Sequence, residues 1–149
     1  MPADSEGVVA LPHTWRPFGV RMAGAVFGGF LIFMLVAMWV LLDPEIKAKI
    51  DWFQRGTALF LFALAFATGF ALVRSRAVAT DSGLTVVNGY RRRDFAWAQV
   101  VAINLPRGAP WASLDLADGE TCPVMAIQGS DGDKARRAVR EVRALLDRP

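Results

Sequence analysis

Residues 22–42 read MAGAVFGGFLIFMLVAMWVLL, a run of twenty-one positions without a charged side chain. As an α-helix rising about 1.5 Å per residue, it covers the roughly 30 Å hydrocarbon core of a bilayer. Arg21 precedes it, and Asp43-Pro44-Glu45 ends it. A second uncharged run, GTALFLFALAFATGFALV, occupies residues 56–73. Trp52 and Phe53 ahead of it, and Trp39 near the end of the first run, suit a membrane–water interface. No polar face interrupts either run, so a pair of buried helices in a soluble protein fits poorly. The first run is also too long for a signal-peptide core, and no small-residue cleavage pattern follows it. The reading is a transmembrane helical hairpin over residues 20–73, with spans at 22–42 and 56–73 and a loop at 43–55.

Basic residues orient the hairpin. Arg16 and Arg21 flank its start; Arg74, Arg76 and Arg91-Arg92-Arg93 follow its end. The loop holds Lys47, Lys49 and Arg55, so the asymmetry is moderate. It favours both termini in the cytoplasm and the loop outside, in a multi-pass protein of the cell (inner) membrane. Small residues suggest how the helices meet. Gly24 and Gly28 form a G-x-x-x-G, and Ala67 and Ala71 fall at similar depth on the second span. Close backbone approach within one hairpin and homodimerisation through the glycine face both fit this pattern.

The chain has 149 residues, of which 54% are apolar, with a formal charge of +3. Mean hydropathy is +0.32 and the sequence pI about 9.6. The apolar excess sits in the hairpin; residues 1–19 read as a polar tail, and residues 74–149 as one small soluble domain. Nucleic acid is not an expected partner, since no recognition motif, stacking platform or zinc spacing accompanies the basic charge. Cys122 is the only cysteine, which excludes an intrachain disulfide. The Ala, Arg, Val and Gly bias suits a GC-rich bacterial genome.

The soluble half reads as short strands. Residues 76–80 alternate weakly, Asp81-Ser82-Gly83 signals a turn, and residues 84–88 form a strand. Asn88-Gly89 suits a type I′ hairpin turn, with its return strand over 90–96. Further strands are expected at 100–105, 113–117 and 121–127, the last two joined at Asp118-Gly119. This spacing argues a small α+β or mainly-β domain, a bent antiparallel sheet or barrel. The period then changes: Ala135, Ala138, Val139, Val142, Leu145 and Leu146 share one face of a closing amphipathic helix. Ser130 or Asp131 is the expected N-cap.

Strands ended by one amphipathic helix, with Asp81-Ser82-Gly83-Leu84 opening a strand, Trp97-x-x-Val100-x-x-Ile103 and the Asp118-Gly119 hairpin, resemble the short bacterial pleckstrin-homology (PH)-like domains. Such domains occur beside paired transmembrane helices, especially in actinobacterial membrane proteins. The resemblance covers roughly residues 74–147. It implies a core containing Leu84, Trp97, Val100 and Ile103, to which the helix adds Val139, Val142 and Leu146. Phosphoinositide-binding PH domains place basic residues around their first hairpin. That pattern is missing here, so headgroup-specific binding is not implied, and fold alone does not carry function.

Chemistry-bearing constellations are sparse. His13 is the single histidine, so no triad or zinc set can be built around it, and no metal or cofactor is expected. Cys122 suits a small buried residue better than a nucleophile. Neither span holds an ionisable residue, which counts against a proton relay. The sharpest positive feature is Arg91-Arg92-Arg93, with Arg74 and Arg76 nearby. These residues are candidate contacts to an anionic leaflet, at about 1 kcal/mol each. The competing reading places Arg91 and Arg93 on the outer face of a strand for solubility. Trp111 suits a loop anchor or a lid on the core. The expected function is non-catalytic: a membrane-anchored PH-like scaffold on the cytoplasmic face, binding a protein partner or anionic lipid without headgroup specificity. The alternative is an oligomeric accessory subunit of a small transporter or channel.

Overall fold

The computed structural model describes residues 9–148; residues 1–8 of the expected tail and Pro149 lie outside the described residues. The chain divides into two units. One consists of residues 19–73; the other joins the residues up to Phe18 to those from Arg74 onward.

The apolar unit holds helices α1 (Phe18–Leu41), α2 (Pro44–Lys49) and α3 (Trp52–Arg74). Both long helices are long and apolar enough to cross a membrane, and none of their residues is buried within the protein. Each begins about four residues before its uncharged run, because Phe18, Trp52 and Phe53 continue the helix through its flank. The loop is not irregular, since α2 occupies half of it. Pro44 stands at its first turn, a position where the fixed φ of proline starts a helix as readily as it ends the preceding one. Asp51 and Gln54 form a reciprocal cap at the start of α3: Gln54 N donates to Asp51 Oδ1 at 2.7 Å, and Asp51 N donates to Gln54 Oε1 at 3.2 Å. The Arg55 guanidinium closes the turn. It donates to Lys47 O and Ile50 O and lies 5.6 Å from the Trp39 ring and 5.3 Å from that of Trp52.

Gly24 is met by Val73: a Cβ on Gly24 would lie 2.6 Å from Val73 Cγ2. Gly28 is looser, with Phe66 Cε1 3.9 Å from the equivalent point. The side-chain atoms nearest to the open faces of the two glycines thus come from Val73 and Phe66 of α3.

The second unit contains two antiparallel sheets. β1 (His13–Trp15), β2 (Arg76–Thr80), β3 (Gly83–Asn88) and β4 (Arg91–Ala96) form one in that order. β5 (Val100–Asn104), β6 (Trp111–Leu116) and β7 (Thr121–Gln128) form the other, and α4 (Asp133–Leu146) ends the fold. The sheets do not close into a barrel; among the described residues no strand ladder joins them. Asn88 bridges them instead, its Nδ2 donating to Pro123 O at 2.6 Å while its Oδ1 accepts from Met125 N at 3.0 Å. The register of β6 against β7 slips between Trp111 and Ala112. There Ala126 and Ile127 are buried in succession, the break in alternation that a bulged, bending strand produces.

The polar tail is not separate. His13, Thr14 and Trp15 pair with Ala79, Val78 and Ala77, so β1 is an edge of the first sheet although it precedes the apolar hairpin. Trp15 is buried, and its Nε1 donates to Glu141 Oε2 of α4 at 2.7 Å. The chain therefore leaves this unit at Phe18 and returns to it at Arg74.

Inward positions of both sheets pack with α4. Leu84, Val100, Ile103, Val139 and Val142 are buried, whereas Trp97 and Leu146 are only partly covered. Trp97 stays at the rim because its indole N–H donates to Thr80 O at 2.9 Å, which holds one ring edge at the surface end of β2. The N-cap of α4 is Gly132, without a side-chain cap. Asp131 Oδ2 instead accepts from Phe18 N at 2.9 Å, and Ser130 Oγ lies 3.5 Å from Gln128 Oε1.

Candidate functional site

The five arginines of the expected membrane-contact set collect around one strand end. Arg74 is the last residue of α3 and Ser75 follows it. Ser75 is buried, and its Oγ accepts from Gly89 N at 3.0 Å. The β3–β4 hairpin tip is thereby pinned to the place where the chain leaves α3. The two residues of that tip are Gly89 and Tyr90, because Asn88 and Arg91 are already paired. Only Gly89 has positive φ, at 59°, so the turn is of the II′ kind with glycine first. A type I′ turn on Asn88-Gly89 would have taken Asn88 out of the strand and away from Pro123.

Tyr90 projects from the tip, 61% exposed, and the Arg74 guanidinium lies 5.9 Å from its ring centre. Arg91 is exposed and Arg76 half-buried; neither they nor Arg74 forms an ion pair among the described residues.

Arg92 and Arg93 are engaged differently. Arg92 and Asp94 face outward and bond through paired contacts of 2.9–3.1 Å, with Thr85 Oγ1 also donating to Asp94. The Arg92 bond, and then that of Thr85, hold the Asp94 carboxyl below the usual carboxylate range. Arg93 pairs with Glu120 at 3.3 Å and lies 5.1 Å from the Phe95 ring. Residues opposite one another in an antiparallel pair share a face. Arg91 lies opposite Asn88, Arg93 opposite Val86 and Phe95 opposite Leu84. Arg91 and Arg93 therefore belong to the core-side face where it runs past the core, and the outer face carries Arg92. The strand reading had this reversed, because it lacked the register against β3.

A cleft of about 220 Å³ lies between β1, β7 and the first turns of α4, lined by Trp15, Arg16, Phe18, Asp131 and Lys134 among others. Lys134 Nζ stands 3.5 Å from the centre of the Phe18 ring. Cys122 is buried, and burial pushes its thiol up despite the opposing pull of Arg93. A thiol held protonated is a poor nucleophile. His13 packs against Trp15 with ring centres 4.6 Å apart and the planes tilted by 55°, and its Nε2 lies 3.8 Å from Glu141, in a structural contact of the β1 edge. Trp111 is exposed at the start of β6. Sequence reasoning missed Tyr90 and Ser75; the signal for Tyr90 was an aromatic beside a turn glycine and a basic run.

A family model described as a bacterial PH domain matches residues 74–145. The uncharacterized protein Rv1417 of Mycobacterium tuberculosis is 38% identical over 145 residues, covering 95% of this chain and 89% of the relative. The uncharacterized protein Mb1452 of Mycobacterium bovis aligns with the same identity and coverage. The aligned length takes in the apolar helices as well as the PH-like unit. No solved structure matches the chain. With its strands ended by an amphipathic helix and its mycobacterial relatives matched nearly end to end, the chain belongs to the bacterial PH domain family.

Proposed function

We propose that this protein is a non-catalytic membrane-anchored binding module. In this reading α1 and α3 cross the cell membrane as a hairpin, and the PH-like unit stands on the cytoplasmic face, where it binds a protein partner or the anionic leaflet. The observation that carries the reading is the pairing of β1 with β2. One strand precedes the apolar helices and the other follows them. Two spans whose outer ends are held in one folded unit must start and finish on the same side of a membrane. The exposure of Phe27, Phe30, Phe33, Leu59 and Phe60 supports lipid as the solvent of those helices, since monomeric proteins rarely leave so large an apolar surface to water. Basic residues at both outer ends favour the cytoplasmic side. The scaffold role rests on the family and on the engagement of Cys122 and His13 in packing.

Membrane fractionation tests the anchor. The protein should stay in the pellet after an alkaline carbonate wash and leave it only with detergent. Release by carbonate alone would sink the reading.

A further inference from the structure

We infer that the β3–β4 hairpin tip, Gly89-Tyr90-Arg91, docks the PH-like unit on the lipid headgroup layer, with Tyr90 as its interfacial aromatic and Arg74 and Arg91 as its phosphate contacts. The inference rests on the anchored reading and specifies which surface of the unit meets the membrane.

Covalent adjacency places the tip. β2 starts at Arg76, two residues after the end of α3, and runs away from it to Thr80. β3 then returns, and Gly89 closes onto Ser75 through the 3.0 Å bond. Tyr90 is thus the neighbour of the residue that is bonded to Ser75, the first residue after α3. The Asp81-Ser82 turn is at the other end of β3, roughly 17 Å away at about 3.4 Å per residue. Tyr90 is the only tyrosine of the chain and is exposed, an amphipathic ring of the kind that concentrates at headgroup level. Arg74 against its ring and Arg91 beside it carry charges that no carboxylate of the described residues neutralises. Arg92 and Arg93, by contrast, are held by Asp94 and Glu120. Of the basic run, Arg91 is thus the member left for phosphate.

The test uses the full chain in vesicles of phosphatidylcholine and phosphatidylglycerol in equal parts. These carry either a headgroup-linked diazirine lipid or one with the diazirine deep in the acyl chain, and photoadducts are mapped by mass spectrometry. The headgroup probe should label Tyr90 and Arg91 and spare Asp81 and Ser82, while the deep probe labels α1 and α3. Tyr90→Ala should lower headgroup labelling at Arg91 several-fold and leave deep labelling unchanged. Deep labelling of the helices with no headgroup adducts at the tip, or a tip signal indifferent to Tyr90→Ala, overturns the docking inference and leaves the anchor standing. Absence of deep labelling removes the anchor and the docking inference with it.

Discussion

Trp15 and Glu141 stand 126 positions apart in the chain, yet the indole N–H of one meets the carboxylate of the other at 2.7 Å. The first residue of that pair comes before the apolar hairpin and the second comes from the last helix. The bond fastens β1 to α4 and makes the PH-like unit dependent on chain from both sides of the hairpin.

Substitutions at Trp15 measure that dependence. Trp15→Phe keeps most of the buried ring but removes the donor to a charged acceptor, a loss of about 1.5–3 kcal/mol. Trp15→Ala adds a cavity and should cost about 3–5 kcal/mol, enough to unfold a marginal unit. Alkylation of Cys122 during denaturant titration reports both, since the thiol is reachable only on unfolding. A fragment starting at Arg74 lacks β1 and should expose Cys122 without denaturant. Equal midpoints for parent, Trp15→Ala and the fragment would show that β1 contributes nothing.

Asn88 carries the link between the sheets. Asn88→Ala removes two hydrogen bonds and leaves the Met125 amide without its partner, which should destabilise the unit by about 2–3 kcal/mol. Asn88→Asp preserves the acceptor but sets a carboxylate against Pro123 O. It should be weakest at neutral pH and recover as acid protonates the carboxyl. A pH-independent Asn88→Asp would contradict the assigned bonds.

Inside the apolar unit the two glycines should respond unequally. Gly24→Ile forces a side chain onto the stiff Val73, for an expected loss of about 1–3 kcal/mol in a detergent melt. Gly28→Ala meets only the edge of Phe66, so a change below about 0.5 kcal/mol is expected. The reverse order, accompanied by loss of a dimer, would move the glycine face to an interface between copies.

Two titrations have a defined sign. Asp94 has its carboxyl lowered by Arg92 and Thr85, so the bond is complete above the ordinary carboxylate pKa of about 3.9 and is lost as pH falls through the lowered value. Carboxyl carbon shifts should place Asp94 below the usual range, and Arg92→Gln should raise it towards that range, with the Thr85 bond still holding it down. Cys122 is raised by burial, so the folded unit keeps a proton that the unfolded chain sheds above about pH 8.5. Stability should fall as pH rises beyond that point, and Cys122→Ala should flatten the slope.

Much of this was legible in local sequence. The two apolar runs announce α1 and α3 because length and lack of charge need no partner to interpret. The period change after Gln128 announces α4 in the same way. β1 was not legible: three residues are too few for alternation to show, and its partner lies beyond the hairpin. α2 was hidden because Asp43-Pro44 is a helix stop and a helix start alike. The placement of the β3–β4 turn on Gly89-Tyr90, and the faces of Arg91, Arg92 and Arg93, depend on register. Asn88 sets that register from its contact with β7, which no local pattern contains. The same holds for the arginine cluster as a site, since its charge is decided by Asp94 and Glu120 and its location by Ser75.

The claim on which the rest stands is a proposed hairpin that crosses the membrane twice, with its folded unit on the cytoplasmic side. Single cysteines at Glu45, in α2, and at Ser82, in the β2–β3 turn, are challenged with a membrane-impermeant thiol reagent in intact bacterial cells. The parent, whose one cysteine is buried, serves as the blank. Position 45 should react at once and position 82 only after permeabilisation. Reaction of both positions in intact cells, or of position 82 alone, would contradict it.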